Sequence, residues 1–383
     1  MTGYVAFSGS DSAGTAMAAP AAGRAARASA PGKLILIGEH SVVYGHPAIA
    51  VTVQRRLSVT VAADKHDAPV VAGSRGRRES AVVLTLAGSS PVRVGWQDTL
   101  RMGDDGTPAN ARERYGSAYL AAAALGEARR LVGRPLPAMT ADVQSEIPAG
   151  HGMGSSAALA LAIIAAVARA AGRKVDRVTV EKAAHEVERR QHGSPSGIDA
   201  ATVLRGGVIR AVPAAEGGSP GGMRFHNLAA DPESLSRFRA FDSGCPVHGT
   251  GQVVAAVRRR LERNRALERE LDRMGELARN FADALVASDD RGMRDVIRRF
   301  EAGLEALGVV PPSVVRLIRR IEAEGGAAKI SGAGGLCDGR DGRPGAGMIL
   351  VYHEEPERIR RWSFLEGLRP VNARLGGPGL EAS

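Results

Sequence analysis

The apolar positions along this chain fall into short β-type runs, then a glycine-rich stretch, then long helical periods. KLILIG (Lys33–Gly38) alternates, becomes continuously aliphatic and stops at a glycine, which predicts a strand. AIAVTV and LSVTVAA, within Ala48–Ala63, predict more strand or hairpin, and AVVLTLAG (Ala81–Gly88) another strand. Arg112–Val132 carries a helical period that includes Tyr115, Tyr119 and Leu125. Ala138–Glu146 reads as a strand leading into the glycine-rich stretch. Helices are expected next over Ser155–Ala171 and Val178–Gln191, and then a strand at Gly206–Val212.

EGGSPGG (Glu216–Gly222) has the composition of a linker. Beyond it the pattern predicts a strand near Arg239–Asp242 and long amphipathic helices over Gly251–Ser288, Arg291–Ala306 and Pro312–Glu324. A final strand, MILVYH (Met348–His353), follows a second glycine-rich segment. Strands in both halves with helices between them predict an α+β architecture of two domains, residues 29–222 and 223–383. Residues 1–28, rich in Ala, Gly and Ser without an aliphatic core, read as a disordered leader and not as a secretory signal. No internal repeat is visible.

Composition narrows the function classes. With 383 residues, 44% hydrophobic, the chain has the size and make-up of an ordinary globular protein of about two domains. No wholly apolar run of about 18 residues exists to span a membrane. Two cysteines, Cys245 and Cys337, are too few for a disulfide framework and fit a reducing, cytoplasmic compartment. The formal charge of +10 raises nucleic acid as a partner, but 46 of the 51 basic residues are Arg and acids are interleaved among them. RRRLERNRALERELDR (Arg258–Arg273) alternates sign at helical spacing and has no aromatics to stack on bases, so it reads as a solvated helix face. Neither nucleic acid nor membrane is expected as a partner.

The glycine-rich stretch is GHGMGSS (Gly150–Ser156), set directly before an apolar helix. It is neither a P-loop nor a dinucleotide fingerprint. Glycines let successive N–H groups converge, and the helix start adds unpaired N–H groups and a positive end, which suits an anion. A glycine turn capped by serine before a buried helix explains the same letters. Ser155 and Ser156 offer N-cap oxygens, or one of them a magnesium ligand.

Three further stretches carry chemistry. PGKLILIGEHSVVYGHPAIA (Pro31–Ala50) sets Lys33 on a strand that ends in Glu39 and His40; an ordinary ion pair is the plainer reading. ERRQHGSPSGIDAA (Glu188–Ala201) closes a helix with Glu188 and places Asp199 after a Pro-Ser-Gly turn; these fit a solvated helix-end charge and an N-cap equally well. KISGAGGLCDG (Lys329–Gly339) is a second tight glycine turn.

Taken together, in this order between about residue 29 and residue 353, the four stretches resemble the GHMP kinase superfamily, and most closely its mevalonate kinases. The resemblance implies a two-domain GHMP kinase fold with the active site in the cleft between domains. It implies ATP as phosphoryl donor, Mg2+ as cofactor and (R)-mevalonate as acceptor, giving 5-phosphomevalonate for isoprenoid synthesis; many relatives are homodimers. Gly150, His151, Gly152, Met153, Gly154, Ser155, Ser156 and Ala157 would hold the ATP phosphates. Ser156 and Glu188 would bind the magnesium ion, leaving Ser155 to cap the helix. Asp199 matches the catalytic aspartate and Lys33 the lysine beside it. Lys33, Glu39, His40 and, by a looser match, Thr250 would contact the substrate.

Where the family runs GAGGGG into its last strand, this chain has Leu336 and then CDGRDGRPGAG, so only Lys329–Gly335 is carried over. The resemblance leaves room for a sister kinase of phosphomevalonate, diphosphomevalonate, homoserine or galactose. Lys33, Ser156, Glu188 and Asp199 at family spacing weigh against a catalytically silent metabolite-binding protein of the same fold.

Overall fold

A computed structural model of the chain describes residues 25–63, 70–72, 78–102, 111–192, 195–214, 222–339 and 343–383. The first part of the chain forms β1 (Ala26–Ile37), β2 (Ala48–Ala63), β3 (Val70–Ala72), β4 (Arg78–Leu86), β5 (Val92–Gly95), α1 (Trp96–Arg101), α2 (Ala111–Tyr115) and α3 (Tyr119–Val132). It continues through β6 (Met139–Ser145), α4 (Ser155–Ala170), α5 (Arg177–His192), α6 (Ile198–Arg205), β7 (Val208–Pro213) and β8 (Met223–Asn227). Next come α7 (Pro232–Ser236), β9 (Phe238–Asp242), α8 (Thr250–Leu261), α9 (Ala266–Ala287), α10 (Asp290–Leu307) and α11 (Pro312–Ala323). The chain closes with β10 (Ala327–Ser331), β11 (Met348–Tyr352), α12 (Pro356–Ile359), β12 (Arg369–Val371) and β13 (Glu381–Ala382).

These strands make two sheets, so the architecture is mixed α+β. The larger runs β13-β1-β2-β6-β4-β3, with β5 on β4 and the β7–β8 pair on β2; the smaller runs β10-β11-β9-β12. Every pairing is antiparallel except β4 with β6. β2 is one long strand, where the sequence suggested two pieces. Its first six residues are buried on both faces while its second half alternates, so the two halves carry different patterns. The first half pairs with β7 and the second with β6, and between them Val53 bridges to Leu375 near the end of the chain.

α4 is apolar all round, and Ala157–Ala168 are buried except Leu159. A helix with no polar face belongs in the middle of a fold, and α4 packs on β1, β2, α3 and α5. α10 lies on β10 and α9 on α10, each through one apolar face. The helix expected over Gly251–Ser288 is broken at Glu262–Arg265. Asn264 turns its side-chain oxygen to the Ala266 N–H at 3.0 Å, a local bond that starts a new helix and competes with continuing the old one. Within the charge-alternating run Arg258–Arg273 one side-chain ion pair forms among the described residues, Arg273 with Glu270 at i,i+3 spacing.

β1 begins at Ala26, inside the stretch expected as a leader, whose first 24 residues lie outside the described ones. Residues 216–221 of the expected linker also lie outside them. β8, which follows, pairs with β7 in the first sheet, and the chain enters the second sheet only at Phe238. The last residues return to the first sheet, with Ser383 and Arg27 exchanging backbone hydrogen bonds of 2.8 and 2.9 Å. Among the described residues no helix is long and apolar enough to cross a membrane.

Candidate active site

The glycine-rich loop lies between the end of β6 and α4. Gly150, Gly152 and Gly154 have φ of 80°, 84° and 71°, a left-handed conformation that disfavours a side chain. Contacts also require glycine. A Cβ on Gly154 would stand 2.8 Å from Lys33 Cγ, and one on Gly152 would stand 2.9 Å from the Ser331 carbonyl oxygen. The Lys33 N–H donates to Met153 O at 2.9 Å, which presses the loop onto β1. Gly154 is the N-cap of α4 and supplies no side-chain bond. The expected Ser155 cap is therefore absent. Both serines sit in the first turn, where backbone N–H groups lack helical partners, a setting that suits an anion.

Lys33 is 3% exposed, and its Nζ lies 3.0 Å from Asp199 Oδ1. Asp199 is the second residue of α6, whose N-cap Gly197 is left-handed and packs against His185 and Phe225. Glu188, near the end of α5, is buried beside this pair. Burial pushes its carboxyl up to about 8, the Asp199 charge adds to that, and Lys33 opposes it. A buried carboxyl next to a carboxylate is in an environment that favours an added cation.

Glu39 and His40 follow β1. Burial raises the Glu39 pKa, and contact with Lys329 of β10 opposes the rise. Lys329 is fully buried, donates to Ile330 O at 2.6 Å and lies 5.9 Å from the centre of the Phe300 ring. His40 has φ 59°, uncommon for a residue with a side chain. Its Nε2 donates to Ala333 O at 3.0 Å, and burial lowers its pKa, so the ring stays neutral near pH 7. The second glycine turn thus reaches the site: Gly332 and Ala333 border the same cavity as the first loop. Of the described residues that follow Leu336, Gly345 and Gly347 donate to Ser243 O and Gly244 O at 2.9 Å, and none from Cys337 to Gly347 lines that cavity.

A cavity of about 810 Å³ joins these groups. Lys33, Glu39, His40, Gly150, Gly152, Gly154, Ser155, Ser156, Glu188, Asp199 and Thr250 all line it. Met153 and Ala157 do not; they are buried in the core. His151 turns away, and its Nδ1 hydrogen bonds Asp242 Oδ1 of β9 at 2.7 Å, tying the loop to the second sheet. One end of the cavity is apolar, formed by Leu57, Leu86, Leu120, Val143, Ile147 and Leu159 with Ser117 beside them. Sequence reasoning named none of these, because they come from five elements and carry no shared motif.

Among the described residues no group of three or more His, Cys, Asp or Glu is placed to hold a metal. One carboxyl with one hydroxyl suits a hard cation that takes its other ligands from phosphate oxygens and water. The arrangement therefore offers an apolar slot, a glycine loop suited to an anion, a carboxylate paired with a lysine, and a second, buried carboxyl beside it.

Residues 118–207 match the family model described as the GHMP kinases N terminal domain. The chain is 31% identical over 364 residues to the mevalonate kinase of Thermococcus gammatolerans, an alignment covering 92% of this chain and 97% of that protein. Its fold is similar to the crystal structure of the Methanococcus jannaschii mevalonate kinase. That match has a TM-score of 0.70 at 18% identity and covers 91% of this chain and 98% of the other. It is also similar to Streptococcus pneumoniae phosphomevalonate kinase in complex with phosphomevalonate and AMPPNP, with TM-score 0.66 at 15% identity over 91% and 99% of the two chains. At such identities the two structures bear on the fold alone.

Proposed function

The chain belongs to the GHMP kinase family, and from that premise we propose that it transfers the γ-phosphoryl group of ATP to the primary hydroxyl of (R)-mevalonate. The observation that carries this reading is the Lys33–Asp199 pair, 3.0 Å apart, facing the same cavity as the glycine loop and Glu188. The apolar end takes the adenine ring, and the loop N–H groups with the α4 N-terminus take the phosphates. Ser156 and Glu188 are the residues that would hold Mg2+. When bound there with ATP, that ion neutralises phosphate charge and favours the ionised form of Glu188.

Asp199 orients the acceptor hydroxyl and receives its proton as the oxygen bonds to the γ-phosphorus and the bond to the β–γ bridging oxygen breaks. Lys33 holds Asp199 in place through their ion pair and offsets charge on the transferring group. Phosphoryl transfer asks mainly for position and charge, both of which a rigid strand lysine and a helix-start aspartate supply. Glu39, His40 and Thr250 border the acceptor end. Neutral His40, with its proton fixed on Nε2, presents Nδ1 as an acceptor.

ADP release with Mg2+ tests the reading on mevalonate, phosphomevalonate, homoserine and galactose. Turnover of mevalonate above the others supports it. Turnover of phosphomevalonate alone selects the sister kinase, and turnover of none removes the enzyme reading.

A further inference from the structure

α8 borders the cavity with one stripe: Thr250, Gly251, Val254, Ala255 and Arg258. The spacing i, i+4, i+8 places Thr250, Val254 and Arg258 in a row on one helix face. That row begins with a hydroxyl, continues through methyl groups and ends in a guanidinium. Val42 and Val43 also line the cavity.

Only two cationic side chains line the cavity among the described residues, Lys33 and Arg258. Lys33 is committed to Asp199 at 3.0 Å, and His40 is held neutral by burial. Arg258 forms no ion pair among the described residues and stands exposed at the cavity wall. The buried Tyr44 hydroxyl has no hydrogen-bond partner among the described residues and feels the charges of both Arg258 and, one turn on, Glu262. Thr250 and Arg258 are about 12 Å apart along the helix axis. A long helical side chain reaches back toward the N-terminus, which brings the guanidinium toward Val254 and shortens that span.

We propose that Arg258 receives the carboxylate of the acceptor substrate and so selects short hydroxy acids over uncharged alcohols and sugars. A planar guanidinium matches a carboxylate through two parallel hydrogen bonds. An acceptor anchored there presents its far end, the hydroxyl, toward Asp199. The inference rests on the mevalonate reading in needing an acid as acceptor, and phosphomevalonate shares that carboxylate. Arg258 acts here as a specificity residue, since it takes no part in the bond changes.

Steady-state kinetics of the full chain tests this with (R)-mevalonate and its methyl ester, which keeps the hydroxyl and loses the charge. In the wild type, kcat/KM for the acid exceeds that for the ester. In Arg258→Ala the acid-over-ester ratio falls at least about ten-fold, mostly through KM for the acid, because a charge-assisted pair is lost. Arg258→Lys, keeping the charge without the fork, recovers part of the ratio. A purely structural role lowers both substrates together, leaves the ratio unchanged and overturns the inference. Wild-type turnover of mevalonate with an unaltered ratio in Arg258→Ala overturns it while leaving the kinase reading intact. No wild-type turnover of mevalonate or phosphomevalonate removes both.

Discussion

Lys329→Met takes the cation from between carboxyls that have no access to water. Lys329 and Glu301 are 0% exposed and Glu39 is 1% exposed. Burial raises the Glu39 pKa from 4.5, and the lysine is the largest influence pulling it down. Burial also holds Glu301 well above its ordinary value, and Lys329 again opposes this most. Among the described residues one oxygen of each carboxyl already lacks a hydrogen-bond partner. Removing one member of a buried pair costs about 3–5 kcal/mol, because the other is left charged or must take a proton.

The sign with pH follows from the raised carboxyl. A folded-state pKa above the unfolded value gives stability that is fully present below the unfolded pKa and lost as pH rises through the folded one. Without Lys329 the Glu39 pKa climbs further, so the deficit of the variant widens between pH 5 and pH 8. Urea unfolding at both pH values measures this, and the double variant Glu39→Gln/Lys329→Met supplies the control. An amide in place of the carboxylate needs no cation, so the double variant recovers part of the loss and the two changes are not additive. A single-variant cost below about 1 kcal/mol at pH 8, an equal deficit at both pH values, or strict additivity refutes the reasoning.

Asp199→Asn lowers kcat on the order of 10²- to 10⁴-fold while ATP affinity by calorimetry stays within a few-fold; a kcat near wild type removes Asp199 from the chemistry. Glu188→Gln raises the Mg2+ concentration needed for half-maximal rate and lowers the rate at saturation, and an unchanged Mg2+ dependence shows that Glu188 holds no metal. Gly154→Ala forces a side chain into left-handed backbone and toward Lys33 Cγ at 2.8 Å. It costs about 1–3 kcal/mol and raises KM for ATP; wild-type melting and KM together contradict the tight loop.

The parts of the site that the sequence displays are those written in contiguous letters. Lys33 follows a strand period, Gly150–Ser156 is a visible glycine cluster, and Glu188 and Asp199 flank a Pro-Ser-Gly turn. Contacts between distant segments leave no such trace. Lys329 meets Glu39 across 290 positions of sequence, and His151 meets Asp242 across 91. The apolar end of the cavity is spread over five elements, each contributing ordinary core residues. Arg258 lies in a run whose alternating charges suit a solvated face, and only the packing of α8 shows that one of them borders a cavity. β13 is two residues long, too short for any period. The break between α8 and α9 was hidden because apolar spacing continues through it, and only Asn264 marks it.

The most direct test of the account identifies the product. The full chain is incubated with ATP, Mg2+ and (R)-mevalonate, and the mixture is followed by ³¹P NMR. The account predicts ADP and one new phosphomonoester in equal amounts, with the phosphorus coupled to the two protons of the C5 methylene. ATP left unchanged by mevalonate, or a phosphoryl group found on any other oxygen of it, contradicts the assignment.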